Sequence, residues 1–304
     1  MGTPSIATLG KMGLDVSTVT GIADFDAGSI QLEYISEQLK MTETHAYNAG
    51  IRGTRSRVKE RVRSTRKASA GQIVMTPTPV ELDTLFYLIL GTAEAADSFV
   101  LAETIPQFGV LIDRIANRFI YTGCFVSRAT FRGSQGELIT LTLDVEAKTE
   151  VVSATVFPVT VPVIDAGAPY IMGDCTFALS ADASAAEVKE FEIVIDNVLN
   201  TDRFMNSVTR SQIPTTDRII TLAMSVPYTA DEIDLHAQSV AGAAGTLTLT
   251  NGGTSTLFTF ANLKSPADSP VNGGRGQEGM LNLQMTAYQS STTKELVITH
   301  DSSV

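Results

Sequence analysis

The chain holds 304 residues, 43% of them hydrophobic and 18% charged, with 33 acidic against 22 basic side chains for a net charge of −11. That balance belongs to ordinary folded proteins and excludes the weakly apolar, highly charged disordered class; the length leaves room for about two domains. No apolar run approaches the roughly 18 residues that span a bilayer, so no membrane partner is expected.

Residues 1–28 read as an N-terminal arm. The opening "MGTPSIATLGKMGLD" has no apolar stretch behind a basic start, and Gly2 lacks the downstream hydroxyl residue that myristoylation needs. A soluble protein made in a cytoplasm is therefore expected. Asp24 and Asp26 in "ADFDAG" are two carboxylates in a Gly-flanked turn, a pattern too common to assign a cation site.

A different signal follows at "IRGTRSRVKERVRSTRK". Eight basic residues (Arg52, Arg55, Arg57, Lys59, Arg61, Arg63, Arg66 and Lys67) accompany one acid, Glu60, for a local charge of +7. The remaining 14 basic and 32 acidic residues give the rest of the chain −18. Such a segment can bind nucleic acid, stand solvated, or contact another copy of the chain. No aromatic residue interleaves for base stacking and no reader motif surrounds it, which weakens the first reading. Arginine pairs with carboxylates through two parallel hydrogen bonds, and such contacts set register and speed encounter, which favours the third.

The clearest helix comes next, in "TPTPVELDTLFYLILG". Thr78 is a good N-cap, Pro79 sits at the first helical position, and Glu81 closes a capping box. Leu82, Leu85, Phe86 and Ile89 make its apolar face, and Gly91 supplies the stop. "ELITLTLDVEA" then alternates with period two, with Ile139, Leu141, Leu143, Val145 and Ala147 on one face. Gly and Pro interrupt the pattern over residues 163–174, a candidate joint. "EFEIVIDNV" alternates again, and a second capping box pairs Thr229 with Glu232 ahead of a second helix. "TLTLTNGGTSTLFTFANL" reads as a hairpin around Asn251-Gly252-Gly253. "NGGRGQEG" at 272–279 is glycine-rich but precedes a strand, so it lacks the amide array that cradles phosphate. "MLNLQMTAYQ" and "KELVITH" complete a mainly β chain with few helices.

Nothing in the chain asks for catalysis. His45, His236 and His300 have no metal-ligand spacing to one another, and Cys124 and Cys175 stand 51 residues apart without a CxxC. No GxSxG, HExxH or phosphate-binding loop occurs. No catalytic, cofactor or metal residue is assigned, and a non-enzymatic protein is expected.

The elements repeat. At an offset of 151, Thr78, Glu81, Leu82 and Asp83 fall on Thr229, Glu232, Ile233 and Asp234, while "GQIVMTP" lies over "LAMSVPY" and Lys67 over Arg218. "RGSQGELITLTLDV" and "GRGQEGMLNLQMTA" also correspond. One strand–loop–strand–helix–strand module is thus expected twice.

Residues 49–91, "AGIRGTRSRVKERVRSTRKASAGQIVMTPTPVELDTLFYLILG", resemble the hallmark region of the tail tube proteins of long-tailed bacteriophages. "EFEIVIDNVLNTDRFMNSVTRSQIPTTDRIITLAMSVPY" is similar to the core strand–loop–strand unit of that family. The resemblance implies a β-sandwich or half-barrel unit with one short flanking α-helix; simple members carry one such unit, and the repeat gives this chain two in tandem: residues 29–168, carrying a long basic loop at 42–67, and residues 169–304. It implies a structural virion protein that self-assembles into stacked rings around a DNA conduit, three chains per ring with pseudo-sixfold symmetry or, alternatively, six. The basic loop would reach another copy, as an inter-subunit contact or one toward a neighbouring ring, and the N-terminal residues would lock successive rings. Tape measure, tail terminator and distal tail proteins are the implied partners, and DNA passes without specific binding. Glu33, Glu37, Asp144, Glu146, Glu192 and Asp196 alternate with apolar neighbours and are candidate lumen-facing acids. The inner tube of a contractile tail or a related secretion machine is an alternative, and a β-sandwich adhesin or binding module a more distant one.

Overall fold

The computed structural model describes residues 9–47, 50–51, 53–179, 186–228, 233–266 and 279–302. These form seventeen strands and two α-helices, and every pairing between named strands is antiparallel.

A broad layer is built from β3 (Ser36–Glu37) and β4 (Lys40–Tyr47) on β5 (Val62–Met75), then β9 (Thr140–Ala147), β8 (Arg118–Ser134), β12 (Glu190–Asp196), β13 (Ile219–Pro227) and β16 (Met280–Ala287). The second layer runs β6 (Ser98–Val100), β17 (Leu296–Asp301), β15 (Thr254–Lys264), β14 (Ala243–Asn251) and β11 (Cys175–Leu179). The end of β15 joins the layers by pairing Leu263 and Lys264 with Ala287 and Thr286 of β16. The N-terminal half of β8 leaves the broad layer at a register shift between Val126 and Arg128. It forms a third sheet with β7 (Phe108–Asp113), β1 (Lys11–Asp15), β2 (Ile30–Leu32) and β10 (Thr149–Ser153).

Two runs share one pairing order: β4–β5–β9–β8 over residues 40–147 and β12–β13–β16 continued by the joining end of β15 over residues 190–287. Strands β8 and β12 pair side by side and merge them into one sheet. They do not keep separate cores. One buried cluster includes Ile73, Leu143 and Phe131 from the first run, and Ile193, Leu222 and Met285 from the second.

Helix α1 (Pro79–Leu90) has the predicted ends. Thr78 Oγ1 accepts from the Glu81 amide, Glu81 Oε2 accepts from the Thr78 amide at 2.9 Å, and Gly91 closes the helix at φ +92°, a conformation that penalises a Cβ. Burial pushes the Glu81 carboxyl above its ordinary range, against the Thr78 and Glu33 amides that donate to it. More of the helix is buried than its predicted face: Leu88 and Leu90 join Leu82, Leu85, Phe86 and Ile89, because α1 packs against strands of both layers. Its last turn is held by Asn197, 3% exposed, whose Nδ2 donates to Ile89 O at 3.0 Å and Val126 O at 3.2 Å. Asn197→Leu leaves both carbonyls without that donor, and is expected to lower unfolding free energy by about 2 kcal/mol. A shifted denaturant midpoint at unchanged slope checks it.

The residues read as an N-terminal arm are built into the body from Lys11 onward. Strand β1 lies between β2 and β7 with Met12 and Leu14 buried, and Val19 and Phe25 join Leu111, Ile120, Phe157 and Val161 in a second, smaller core. Residues 1–8 lie outside the described residues, as do Thr229 and Glu232 ahead of α2 (Ile233–Ala241) and most of the glycine-rich segment.

Candidate functional site

The basic segment is a projecting β-hairpin rather than a loop. Its flanks are β4 and the start of β5, which pair out to Tyr47 with Val62 and leave almost every side chain exposed. Arg52 lies outside the described residues. Arg55 and Arg57 sit at the tip, Lys59 and Arg61 in a short 3₁₀ turn, and Arg63, Arg66 and Lys67 on β5. The eight are not equivalent. Arg66 is committed to its own chain, 2.7 Å from Asp202 and stacked over Phe204 at 4.3 Å. Lys67 reaches Glu43 at 3.5 Å. Arg57 lies over the Tyr47 ring of the same hairpin at 5.4 Å, whereas Arg55, Lys59, Arg61 and Arg63 have no ion pair among the described residues.

Four of the six candidate acids share one surface. Asp144, Glu146, Glu192 and Asp196 stand on the open face of the broad layer, among Gln72, Thr130, Thr142, Thr221, Ser225, Asn282 and Gln284 at matching register positions. The face is less negative than the acids alone suggest. Arg128 and Arg132 of β8 stand directly across from Asp196 and Glu192, and Arg128 donates to Asp196 through Nε at 3.1 Å and Nη2 at 2.5 Å. Asp196 in turn holds the Arg128 guanidinium above its ordinary pKa. The polar alternation Arg128-Thr130-Arg132 in "SRATFRG" carried that signal in the sequence. Glu33 and Glu37 do not join this face. Glu33 is exposed between β2 and β3, and Glu37 accepts both arms of Arg114 at 2.8 and 2.9 Å.

The connection from β12 to β13, residues 197–218, folds back over the ends of β5 and β9. It is anchored by Arg210, 7% exposed. Nη1 donates to Ser69 O at 3.0 Å and Ala147 O at 3.1 Å and lies 2.6 Å from Glu146 Oε2, while Nε donates to Thr201 O at 3.0 Å. The Lys67 amide donates to Val208 O at 2.6 Å. Composition marks Arg210 no differently from its neighbours, so sequence reading missed it.

His300 and the two cysteines are built into the packing. His300 is 1% exposed, with Nδ1 2.8 Å from Thr256 Oγ1 and Nε2 donating to Pro79 O at 2.8 Å, which ties β17 and β15 to the start of α1. Burial pushes the Cys175 thiol up to about 12 and the buried Cys124 thiol higher still, far from nucleophilic thiolates. Among the described residues, no three His, Cys, Asp or Glu side chains gather as metal ligands.

The family model for phage tail tube proteins matches residues 8–287. No individual curated protein matches the chain.

Proposed function

We propose a mode of assembly from one premise: this chain belongs to the phage tail tube protein family and is a structural protein of the virion tail. Copies associate side by side into rings, and the rings stack into a tube that conducts DNA during ejection. The observation that carries this is the broad layer with two open edges. No described strand pairs with the outer side of β4, nor with the outer side of β16 before Thr286. Free edges of that length invite aggregation in a monomer and are consumed when edges of neighbouring copies meet.

The repeated pairing order supports dividing the chain into units of residues 29–168 and 169–304. Six such units then close a ring from three chains, and six whole chains are the second count. The open face of the broad layer is the proposed bore, presenting Asp144, Glu146, Glu190, Glu192 and Asp196 against Arg128 and Arg132. Its small polar side chains and net negative charge repel a phosphate backbone and give it nothing to grip. The basic hairpin points to another copy rather than to DNA. Tape measure and terminator proteins would meet the tube at its lumen and ends, with assembly in the host cytoplasm.

Raising the concentration of purified protein is expected to produce long hollow filaments with a regular axial repeat under negative stain. A chain that stays monomeric at every concentration overturns the reading, and averaged end-on views count three or six chains per ring.

A further inference from the structure

Arg210 plugs the end of the β5–β9 ladder, and the matching end of the β13–β16 ladder is empty in the described chain. The match follows from pairing. Adding 151 to β5 positions takes Ile73 and Met75 to Met224 and Val226; their partners Leu143 and Leu141 then correspond to Leu283 and Leu281. The same shift carries Ser69 to Ile220 and Lys67 to Arg218, and the ladder carries Glu146 and Ala147 to Thr286 and Ala287. In the first run this place is filled by residues 197–218 with Arg210 inserted. In the second it is a groove of about 460 Å³ lined by Arg218, Ile220, Thr286, Ala287, Tyr288 and Glu295. Tyr288 and the adjoining Ile219 are 51% and 47% exposed. Arg218 pairs with Glu295 at 3.4 Å and donates through Nη1 to Ala102 O at 2.8 Å, while its buried Nε has no acceptor among the described residues.

We propose that this groove is the docking site for the basic hairpin of a second copy of the chain, with Lys59 taking the place that Arg210 takes internally. The inference rests on the reading that copies assemble edge to edge. Lys59 precedes Lys67 by eight residues, as Arg210 precedes Arg218. The two segments are also alike in form. Both are hairpins that leave the broad layer at the same end of corresponding strand pairs, and residues 198–200 bond back to 214–216 as β4 bonds to β5. The segment 197–218 reaches its site from β12, which adjoins β8. A neighbour whose β4 edge approaches the β16 edge stands in the same relation to the groove.

The hairpin of the same chain does not fit this role. β4 and β16 are the outer strands of the layer, six strand spacings or about 29 Å apart. Plug on one edge and socket on the other make a head-to-tail contact, which closes into a ring when the rotation permits. A +7 segment meets a body of −18; in the groove, where Thr286 stands in place of Glu146, the acceptors offered to Lys59 are Glu295 and the main-chain carbonyls at the ladder end, counterparts of the Ser69 and Ala147 carbonyls that accept from Arg210.

Two single variants of the full chain, Lys59→Cys and Thr286→Cys, test it when mixed in equal amounts and treated with a short bis-maleimide. A covalent pair is expected in the mixture and in neither variant alone, so that native Cys175 is controlled for. The same samples are viewed by negative stain. Filaments with the pair support the docking; filaments without it overturn the docking and leave the tube intact. Neither filaments nor pair overturns both, and the pair without filaments supports the docking while overturning the tube.

Discussion

Tubes are expected to disappear when Arg55, Arg57 and Arg61 are all replaced by glutamate, while the monomer keeps its fold. The three side chains lie in the exposed tip of the β4–β5 hairpin, and among the described residues only Arg57 has an internal partner, the Tyr47 ring. Exposed substitutions without packing or ion-pair partners usually change stability by less than about 0.5 kcal/mol. Assembly is another matter, because the tip changes from attraction to repulsion against a body of −18. With each of the three interfacial reversals costing on the order of tenfold, the concentration needed for assembly should rise by about a thousandfold. Salt should weaken wild-type assembly in the same direction, since exposed charges lose their reach beyond about 10 Å at 0.1 M. Circular dichroism with the wild-type profile, together with an absence of filaments, is the expected pair of observations. Normal tubes from the triple variant would remove the hairpin from the interface.

A different result is expected for Arg66→Glu. Its partner Asp202 and the Phe204 ring belong to the same chain, so this change pushes the 197–218 segment away from β5 before any second copy is involved. Local protease sensitivity at that segment separates it from the tip variants.

Much of the fold was legible because its signals are local. Thr78, Glu81 and Gly91 bracket α1 by capping chemistry that works within one turn, and Leu141, Leu143 and Val145 announce β9 because one face is buried. The hairpin arms at residues 42–47 and 62–67 look like a loop in the sequence for the converse reason. Both of their faces meet water, so no period-two contrast is written into them. Burial of Met12, Val19 and Phe25 was equally silent, being decided by sheet partners a hundred residues away. The same holds for the candidate bore. Local alternation placed Asp144, Glu192 and Asp196 on a wet face, but only the register between β8 and β12 puts Arg128 and Arg132 opposite them.

Phe86→Ala is expected to be the most damaging single change to the monomer. Phe86 is completely buried, and its ring centroid lies 5.6 Å from Phe99, 5.8 Å from Phe131, 6.0 Å from Phe258 and 5.3 Å from His300. Those neighbours belong to β6, β8, β15 and β17, so one side chain touches both layers and the residue that anchors the start of α1. Truncating such a ring costs about 3–5 kcal/mol, because the transfer energy is lost and a cavity remains. At roughly 2 °C per kcal/mol for a chain of this size, the unfolding midpoint should fall by about 6–10 °C. Phe86→Leu keeps much of the volume and should cost less than half as much. The measurement belongs below the assembly concentration. Binding between folded copies adds stability by mass action to wild type and variant alike, so below that concentration the midpoint reports the chain alone. A monomer deficit under about 1 kcal/mol would mean that the two layers do not depend on a common aromatic core, and the spacing between the open edges of the broad layer would then need another support.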